Sequence, residues 1–314
     1  NNRKDESALL MKNLTIPYGD KKRSVEIEDE DILSILRPPM AMDADPGDIL
    51  TASIRHPLTG PPVEDFLKDA GRIVLLINDA TRPTRTDLVL DILEDTITRS
   101  EVEFVVATGA HPSPAKEELR RIFGNYYDRC KDRFSVHDSR DERSHESIGR
   151  TRYGNELLLD RRVTRADKCV VIGSVEPHYF AGFTGGPKSL LPGIAAYETI
   201  ERNHSLALHE RSRPLAVEGN PIRDEMVDCM DAFGRDRLYG IQMVLDSDDN
   251  VCRAFSGPMD MAFDAAVREA RTIFSAPIRH QADIVVTVAR PPFDRDLYQT
   301  LKAIEHGRLA LRPG

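Results

Sequence analysis

The sequence predicts an α/β protein whose N-terminal domain is built on a parallel β-sheet, with a second, smaller α/β domain that is incomplete at its carboxyl end. Three continuous apolar runs span residues 72–77, 104–107 and 169–173. They lack the alternation of a half-exposed antiparallel strand, so they indicate buried parallel strands. A helix-like segment follows each run after a loop, which is the order of a strand–helix repeat.

Shorter signals predict the remaining elements. We expect short strands at residues 14–16 and 25–27 and a short helix at 64–70. Ser113 and Pro114 are typical of a helix cap and the first helical position. Farther along, we expect strands at residues 134–137 and 157–159, helices at 195–210 and 222–232, a hairpin of 239–245 with 251–255, a helix at 259–274, a strand at 284–288 and a helix at 296–306.

A chain of 314 residues is long enough for one large or two ordinary domains. We expect the large N-terminal domain to cover residues 1–275. The strand and helix that follow should begin a C-terminal domain, truncated, over residues 276–314.

Composition narrows the class of protein. A net charge of −9 argues against nucleic acid as a partner, since binding to a phosphate backbone needs a clustered basic surface. The apolar runs are far too short to cross a bilayer and no signal-peptide pattern opens the chain, so we expect a cytoplasmic protein with no membrane partner. The four cysteines are far apart and form no C-x-x-C pair, which argues against a disulfide framework or a thiolate metal cluster.

Chemistry-bearing residues follow the first two predicted parallel strands. After the first strand come Asp79, Thr81 and Arg82, which offer a carboxylate, a hydroxyl and a guanidinium fork for an oxyanion. The alternative is a surface arginine whose neighbour Pro83 merely starts a helix. His111 lies in the loop after the second strand. Since successive loops at one sheet edge face a common crevice, we expect the two loops to form one site.

The third strand leads into residues 176–193, the most irregular stretch of the chain. This stretch holds His178, Lys188 and glycines that include Gly185 and Gly186. Glycines in such a loop let backbone N–H groups approach a phosphate. A glycine-rich surface turn with an exposed lysine is the alternative interpretation.

Other histidines are weaker candidates. His204 shares a helix face with Ile200 and Leu208, where a histidine is usually a hydrogen-bonded core residue. It becomes a metal-ligand candidate if the glycine-rich loop folds back over this helix. His137 and His145 lack a supporting pattern, and we interpret them as structural or solvated.

Several motifs in one chain together resemble those of a known family. They are Asp79-Ala-Thr-Arg-Pro-Thr84, Ala107-Thr-Gly-Ala-His111, the block at residues 176–193, Asn203-His204 and Tyr298-Gln-x-x-Lys302. In this order they resemble the nickel-dependent lactate racemases and related 2-hydroxyacid racemases and epimerases, from about residue 14 to the end of the chain. The resemblance implies an isomerase that acts on a small 2-hydroxyacid.

The resemblance also implies a cofactor. In that family a nickel-pincer nucleotide, a pyridinium mononucleotide whose sulfur groups clamp nickel, is attached to a lysine that corresponds to Lys188. His204 would be the remaining nickel ligand, which suits a neutral imidazole. The phosphate would lie near Thr81 and the loop of Thr184, Gly185 and Gly186. Residues 1–275 would then be the cofactor-binding and catalytic domain, and cofactor-biosynthesis proteins would be partners.

The α-hydrogen of a hydroxyacid is barely acidic, so its transfer as hydride to an electron-poor ring is easier than its removal as a proton. By resemblance, His111 and His178 are the acid/base pair for the hydroxyl proton, and Asp79 orients one of them. Arg82 and Lys302 would hold the substrate carboxylate, with Gln299 and Tyr298 in the substrate pocket.

Two departures from the family leave the substrate open, and two other functions remain as alternatives. Pro112 follows His111 directly, and Arg290-Pro-Pro-Phe293 replaces a glycine-rich turn of the family, so the choice of hydroxyacid is in doubt. A nicotinamide-type oxidoreductase is a second hypothesis, although no G-x-G-x-x-G follows any strand. A non-catalytic protein that binds a nucleotide or carboxylate is a third.

Overall fold

The computed structural model describes residues 11–18, 21–37, 44–246, 248–289, 294 and 296–313, apart from the side chains of Tyr298 and Gln299. The chain forms two compact units, residues 1–37 with 275–314 and residues 38–274. The sequence-based division instead assigns the amino-terminal residues to the large domain. Their strands are mostly exposed, so their pattern carries no signal of which unit they join.

Twelve strands lie in the described residues. They are β1 (Met11–Tyr18), β2 (Lys21–Glu28), β3 (Ile73–Asn78), β4 (Val102–Ala107), β5 (Phe134–Val136), β6 (His145–Arg150), β7 (Glu156–Asp160), β8 (Lys168–Ser174), β9 (Pro177–His178), β10 (Gly182–Phe183), β11 (Leu238–Leu245) and β12 (Val251–Pro258).

Eleven α-helices lie in the same described ranges. They are α1 (Pro46–Arg55), α2 (Val63–Leu67), α3 (Thr86–Ile92), α4 (Glu94–Arg99), α5 (Lys116–Phe123), α6 (Tyr127–Cys130), α7 (Arg161–Thr164), α8 (Tyr197–Ser205), α9 (Pro221–Phe233), α10 (Met259–Phe274) and α11 (Leu297–Arg308).

The larger unit is organised around a six-stranded sheet in the order β12-β11-β8-β3-β4-β5. Its neighbouring strands are parallel except β11 and β12, which form the expected hairpin. The α/β class with a largely parallel sheet is therefore confirmed. The next strands, β4 and β5, lie on one side of β3, and β8 lies on its other side.

The three continuous apolar runs are strands buried on both faces. In β3, Ile73, Leu75 and Ile77 pack into one hydrophobic cluster with helices α1 to α5. The alternate residues Val74 and Leu76 pack into a second cluster with α7, α8 and α9. Helices therefore cover both faces of the sheet, which explains why these strands do not alternate apolar with polar residues.

Two predicted elements differ in the structure. The helix after His111 begins at Lys116 with Ala115 as its cap, and Glu118 accepts the Ala115 backbone N–H at 2.8 Å. This backbone contact replaces the cap predicted at Ser113. Residues 284–288 form no strand, and Ile284 is 81% exposed. No described strand pairs with this segment, so its backbone lacks the partner that a strand requires.

The four cysteines are buried and free, as expected. His137 is a buried structural residue: its Nδ1 lies 3.2 Å from Asp160 Oδ2 and its Nε2 lies 3.0 Å from the Ala195 carbonyl. Among the described residues, no helix is both long and apolar enough to cross a membrane.

Candidate active site

Three loops that follow neighbouring parallel strands meet at the carboxyl edge of the sheet. Asp79 follows β3, His111 follows β4, and His178 follows β8, and these strands are adjacent in the order β8-β3-β4. The strands that follow β3 in the chain are added on one side of it as β4 and β5 and then on its other side as β8, so the strand order reverses between β3 and β8. Ligands of open α/β sheets bind in the crevice at such a switch point, so this edge is the candidate site.

Asp79 and His111 form a hydrogen-bonded pair. The distance between His111 Nδ1 and Asp79 Oδ2 is 2.7 Å, and Asp79 is only 5% exposed. The second carboxylate oxygen accepts both the hydroxyl and the backbone N–H of Thr81, at 2.6 and 3.1 Å. A carboxylate only accepts hydrogen bonds, so Nδ1 carries the hydrogen and neutral His111 has its lone pair on Nε2.

The charge of Asp79 is stabilised in place. Burial alone would raise the pKa of this carboxyl group, but the hydrogen bond and charge of His111, the Thr81 hydroxyl and the Arg82 guanidinium together hold the pKa below its ordinary value. Asp79 is therefore ionised at neutral pH and fixes the orientation of the His111 ring.

Arg82 forms an ion pair with Glu176 across the switch point. Arg82 Nη1 donates to Glu176 Oε1 at 3.2 Å, and their side chains are 12% and 23% exposed. The pair joins the loop after β3 to the loop after β8. Glu176 opens the block at residues 176–193, but the sequence predicted no role for it, since its partner Arg82 is 94 residues away in the chain.

A second link joins the same two loops beneath this ion pair. Asn78 Nδ2 donates to Thr84 Oγ1 at 2.9 Å, and the Thr84 and Ser174 hydroxyls are 3.0 Å apart. The His111 loop is tied in separately, because the Gly109 N–H donates to the Gly193 carbonyl at 2.9 Å. All three loops are thus fixed to one another.

His178 is buried, with 6% of its surface exposed. Its Nδ1 accepts the Ala181 backbone N–H at 3.3 Å, so the neutral ring carries its hydrogen on Nε2. The ring stacks on Tyr179, with centroids 4.9 Å apart. His111 and His178 therefore hold opposite tautomers in their neutral forms.

Lys188 lies in a short 3₁₀ helix, Gly186–Ser189, inside an otherwise buried loop. Within residues 180–191, all of which the structure describes, Lys188 is the one residue that is not buried. The interpretation of this stretch as an exposed surface turn is therefore wrong. The loop is an internal element that presents a single amine.

Close packing, rather than open space for a ligand, explains the glycines of this loop. A Cβ at Gly185 would lie 2.6 Å from Val175, and one at Gly186 would lie 2.3 Å from Phe263. Both residues also have positive φ angles, of 75° and 53°. The Gly186 N–H donates to Gln242 Oε1 at 2.8 Å, so this donor is already used within the protein.

Two polar side chains hold the loop against the sheet. The Thr184 hydroxyl donates to the Ser174 carbonyl at 2.9 Å and accepts the Glu176 N–H at 2.9 Å. Gln242, fully buried on β11, also donates to the Val171 carbonyl at 3.0 Å. Gln242 had no signal in the sequence, because its partners are distant in the chain.

His204 lies near Lys188 and His111, although α8 is far from the His111 loop in sequence. Burial, followed by the positive charge of Lys188, lowers the pKa of His204 to about 3. Its Nδ1 is buried without a hydrogen-bond partner among the described residues. A half-buried imidazole held neutral, with a buried Nδ1 that makes no hydrogen bond of good geometry to any described residue, is suited to bind a metal rather than a proton.

Protein side chains alone do not form a metal cluster here. Within the described ranges, no group of three or more His, Cys, Asp or Glu side chains is placed to hold a metal ion. A metal beside His204 would therefore need ligands supplied by a cofactor. Lys188, the one residue of its loop that is not buried, is placed to carry such a group, so these residues fit a lysine-bound cofactor with its own metal ligands.

The remaining predicted substrate residues belong to the other unit. Lys302 lies on α11, which also includes Tyr298 and Gln299, whose side chains are outside the described set. The Arg290-Pro-Pro-Phe293 segment likewise lies outside the described residues. The contribution of these residues to the site stays a prediction.

Known proteins share both sequence and structure with this chain. A lactate racemase of Thermoanaerobacterium thermosaccharolyticum is 32% identical over 317 residues, which cover 97% of this chain and 73% of the relative. A lactate racemase of Lactiplantibacillus plantarum is 27% identical over 300 residues, covering 93% and 70%. The solved structure of the lactate racemase apoprotein from T. thermosaccharolyticum superposes with a TM-score of 0.88 at 31% identity, covering 96% of this chain and 72% of that one.

Residues 18–214 match the family model described as the lactate racemase N-terminal domain, which spans the three strand-end loops and His204. The match covers more than half of the chain, and the relatives are similar over nearly all of it. The family that the five motifs indicate is thereby confirmed: the chain belongs to the lactate racemase family and is an isomerase.

Proposed function

We propose that this protein racemises lactate or a closely related 2-hydroxyacid with a nickel-pincer nucleotide attached at Lys188. The observation that carries the proposal is an Asp79–His111 pair and a buried His178 at one sheet edge, with a neutral His204 close to Lys188, the one residue of its buried loop that is not itself buried. Proteins that build the cofactor would be its partners. Bound at Lys188, the group would supply an electron-poor ring that takes and returns the α-hydrogen as hydride.

His204 would complete the metal coordination. Its low pKa keeps the imidazole neutral, which leaves a lone pair for nickel at any physiological pH. We assign Thr184, Gly185 and Gly186 to shaping the cofactor loop, because the hydroxyl of Thr184, the N–H of Gly186 and the space around both glycines are occupied by protein atoms. Thr81 keeps an acceptor lone pair and stays a candidate for polar contact with the cofactor.

His111 is set to accept a proton. With Nδ1–H held by Asp79, its Nε2 lone pair is available to take the substrate's hydroxyl proton as the α-hydrogen departs. The ionised Asp79 then stabilises the imidazolium that forms, and returning the same proton restores the starting state. This is the role that the carboxylate plays in other Asp–His pairs.

His178 has a different starting state. Its Nδ1 accepts a backbone N–H, so neutral His178 carries its hydrogen on Nε2. To donate a full proton it must first be protonated at Nδ1, which requires release of the Ala181 N–H. We infer that His111 and His178 serve opposite faces of the substrate but are not equivalent in the resting enzyme.

Arg82 is the proposed anchor for the substrate carboxylate. Its guanidinium is mostly buried and Glu176 engages one nitrogen, Nη1. A guanidinium has five N–H donors, so it can hold Glu176 and a carboxylate together. Lys302 would supply a second positive charge.

Mass spectrometry with nickel analysis tests this proposal on protein made together with the cofactor-building enzymes. We expect a mass increment on the peptide that contains Lys188, bound nickel, and interconversion of D- and L-lactate without added nicotinamide. Lys188→Arg should lose all three, whereas the matched surface change Lys168→Arg should keep them. Interconversion by a protein with unmodified Lys188 and no nickel would refute the cofactor assignment.

A further inference from the structure

The side chain of Phe180 lies against two of the imidazoles that the proposed function uses. Its ring centroid is 4.5 Å from that of His178 and 5.1 Å from that of His204. Both contacts are edge-to-face, with interplanar angles of 76° and 70°. Phe180 is only 5% exposed. One aromatic ring therefore contacts both the proposed acid/base residue and the proposed metal ligand.

The backbone of Phe180 is itself firmly held. Its carbonyl accepts the Asn220 side-chain amide at 2.7 Å, and Asn220 is fully buried. Asn220 also accepts the Ile222 N–H at 3.1 Å and so caps the amino terminus of α9. The phenyl ring is thus anchored to a helix of the core and not only to its own loop.

Imidazole rings need such an anchor. The last torsion of a histidine side chain is broad, so the ring plane is fixed only by its surroundings. Although the Ile200 backbone on the same helix interacts with His204, Nδ1 has no hydrogen bond of good geometry among the described residues, so packing must help to set that ring. Edge-to-face aromatic contacts prefer a defined geometry. Phe180 makes this contact with His204 and with His178 at the same time.

We propose that Phe180 is a positioning residue that fixes the ring orientations of both His178 and His204. This inference rests on the proposed function, since it gives the two rings their tasks. A misdirected His204 lone pair weakens nickel binding, and a misdirected His178 slows proton transfer. Phe180 has no role predicted from the sequence alone.

Phe180→Leu tests the role, with Phe233→Leu as the matched control. Phe233 is also buried, at 3% exposure, and packs in the same hydrophobic cluster, but its described ring contact is with Arg237. The two variants should lose similar stability. In the loaded enzyme, only Phe180→Leu should lose nickel faster to a chelator and lower kcat, by about a hundredfold, with KM nearly unchanged.

The unloaded protein gives a readout that does not depend on the proposed function. In NMR spectra of the histidine rings, Phe180→Leu should shift and broaden the resonances of His178 and His204, whereas Phe233→Leu should leave them sharp. If wild-type protein fails to racemise while these spectra change, the proposed function fails and the contact stands. If wild type is active and both variants keep nickel and kcat, the inference is overturned. Phe180→Met, whose unbranched and flexible side chain adapts to the space that the phenyl ring leaves, replaces Phe180→Leu if the latter does not fold.

Discussion

Single residues at the carboxyl edge of the sheet show what a motif predicts well and what it misses. The sequence placed Asp79 beside a histidine by resemblance, and the structure shows that the partner is His111, at 2.7 Å. It predicted no role for Glu176 or Gln242, which hold Arg82 and the glycine loop. Their partners lie 94 and 56 residues away in the chain, so only the folded structure reveals these contacts.

Asp79→Asn tests what the charge of Asp79 contributes to His111, because the variant keeps His111 itself unchanged. An amide keeps the shape but removes the charge that stabilises the imidazolium, so we expect kcat to fall about a hundredfold with a small change in KM. Steady-state kinetics of the loaded enzyme would measure both. Asp138→Asn is the matched control, because Asp138 also accepts an N–H two residues ahead but is exposed. Equal kinetics for wild type and Asp79→Asn would refute the role of the pair.

At the scale of whole elements, the strands were predictable and several boundaries were not. Continuous apolar runs identified β3, β4 and β8 because these strands are buried on both faces. The cap of α5 is Ala115 and not the predicted Ser113, because the Glu118 side chain accepts the backbone N–H of Ala115. An apolar pattern at residues 284–288 was not sufficient for a strand, since pairing depends on a neighbour that the pattern does not contain.

Glycine substitutions test how tightly the loop before Lys188 is packed. Gly154 has a φ of 79°, and a Cβ added there would have nothing within 4 Å, whereas a Cβ at Gly186 would lie 2.3 Å from Phe263. Gly154→Ala should therefore reduce the free energy of unfolding only by the backbone strain, about 1 kcal/mol. Gly186→Ala adds a steric conflict and should cost several times more. Urea unfolding of the two variants measures the difference, and equal losses would contradict tight packing of the loop.

The hydrogen bonds of the buried Asp160 carboxylate should show in the pH dependence of stability. Asp160 is fully buried at the junction of β7 and α7; burial raises its pKa, but the hydrogen bonds from His137 and Arg162 outweigh that effect and lower it strongly. A depressed pKa stabilises the fold above the unfolded value, about 3.9, and that contribution is lost as pH falls through the folded pKa. Asp160→Asn should lower the free energy of unfolding by about 3 kcal/mol at pH 7.

The difference in the free energy of unfolding between wild type and Asp160→Asn should therefore shrink as the pH falls below the pKa of an ordinary carboxyl group. Urea unfolding at several pH values would measure it. Asp141→Asn provides the control, because Asp141 caps a 3₁₀ turn in the same way but is exposed and should have a small, flat effect. A pH-independent difference for Asp160→Asn would show that its effect is steric rather than electrostatic.

For the whole molecule, the hydrophobic core and the candidate cofactor site belong to the same unit. Every buried hydrophobic residue among the described ones lies between Leu50 and Ala270, and so do His111, His178, Lys188 and His204. The other unit exposes much of its apolar surface, as at Ile284 and Leu297, which are 81% and 80% exposed. Apolar periodicity predicted the elements of the larger unit well, because that unit has a buried hydrophobic core. The described residues of the smaller unit include no buried hydrophobic residue, so their pattern carries little signal.

A chain of residues 44–274 should therefore fold alone and separate cofactor attachment from turnover. Burial of apolar surface is the main favourable term in folding, and this segment contains every buried hydrophobic residue that the structure describes. We expect one cooperative transition in urea and, beside the cofactor-building enzymes, a modified Lys188. Racemisation should be lost, because Lys302, the proposed second contact of the substrate carboxylate, is absent. A non-cooperative transition would show that the core needs the other unit, and full activity would remove Lys302 from the proposed mechanism.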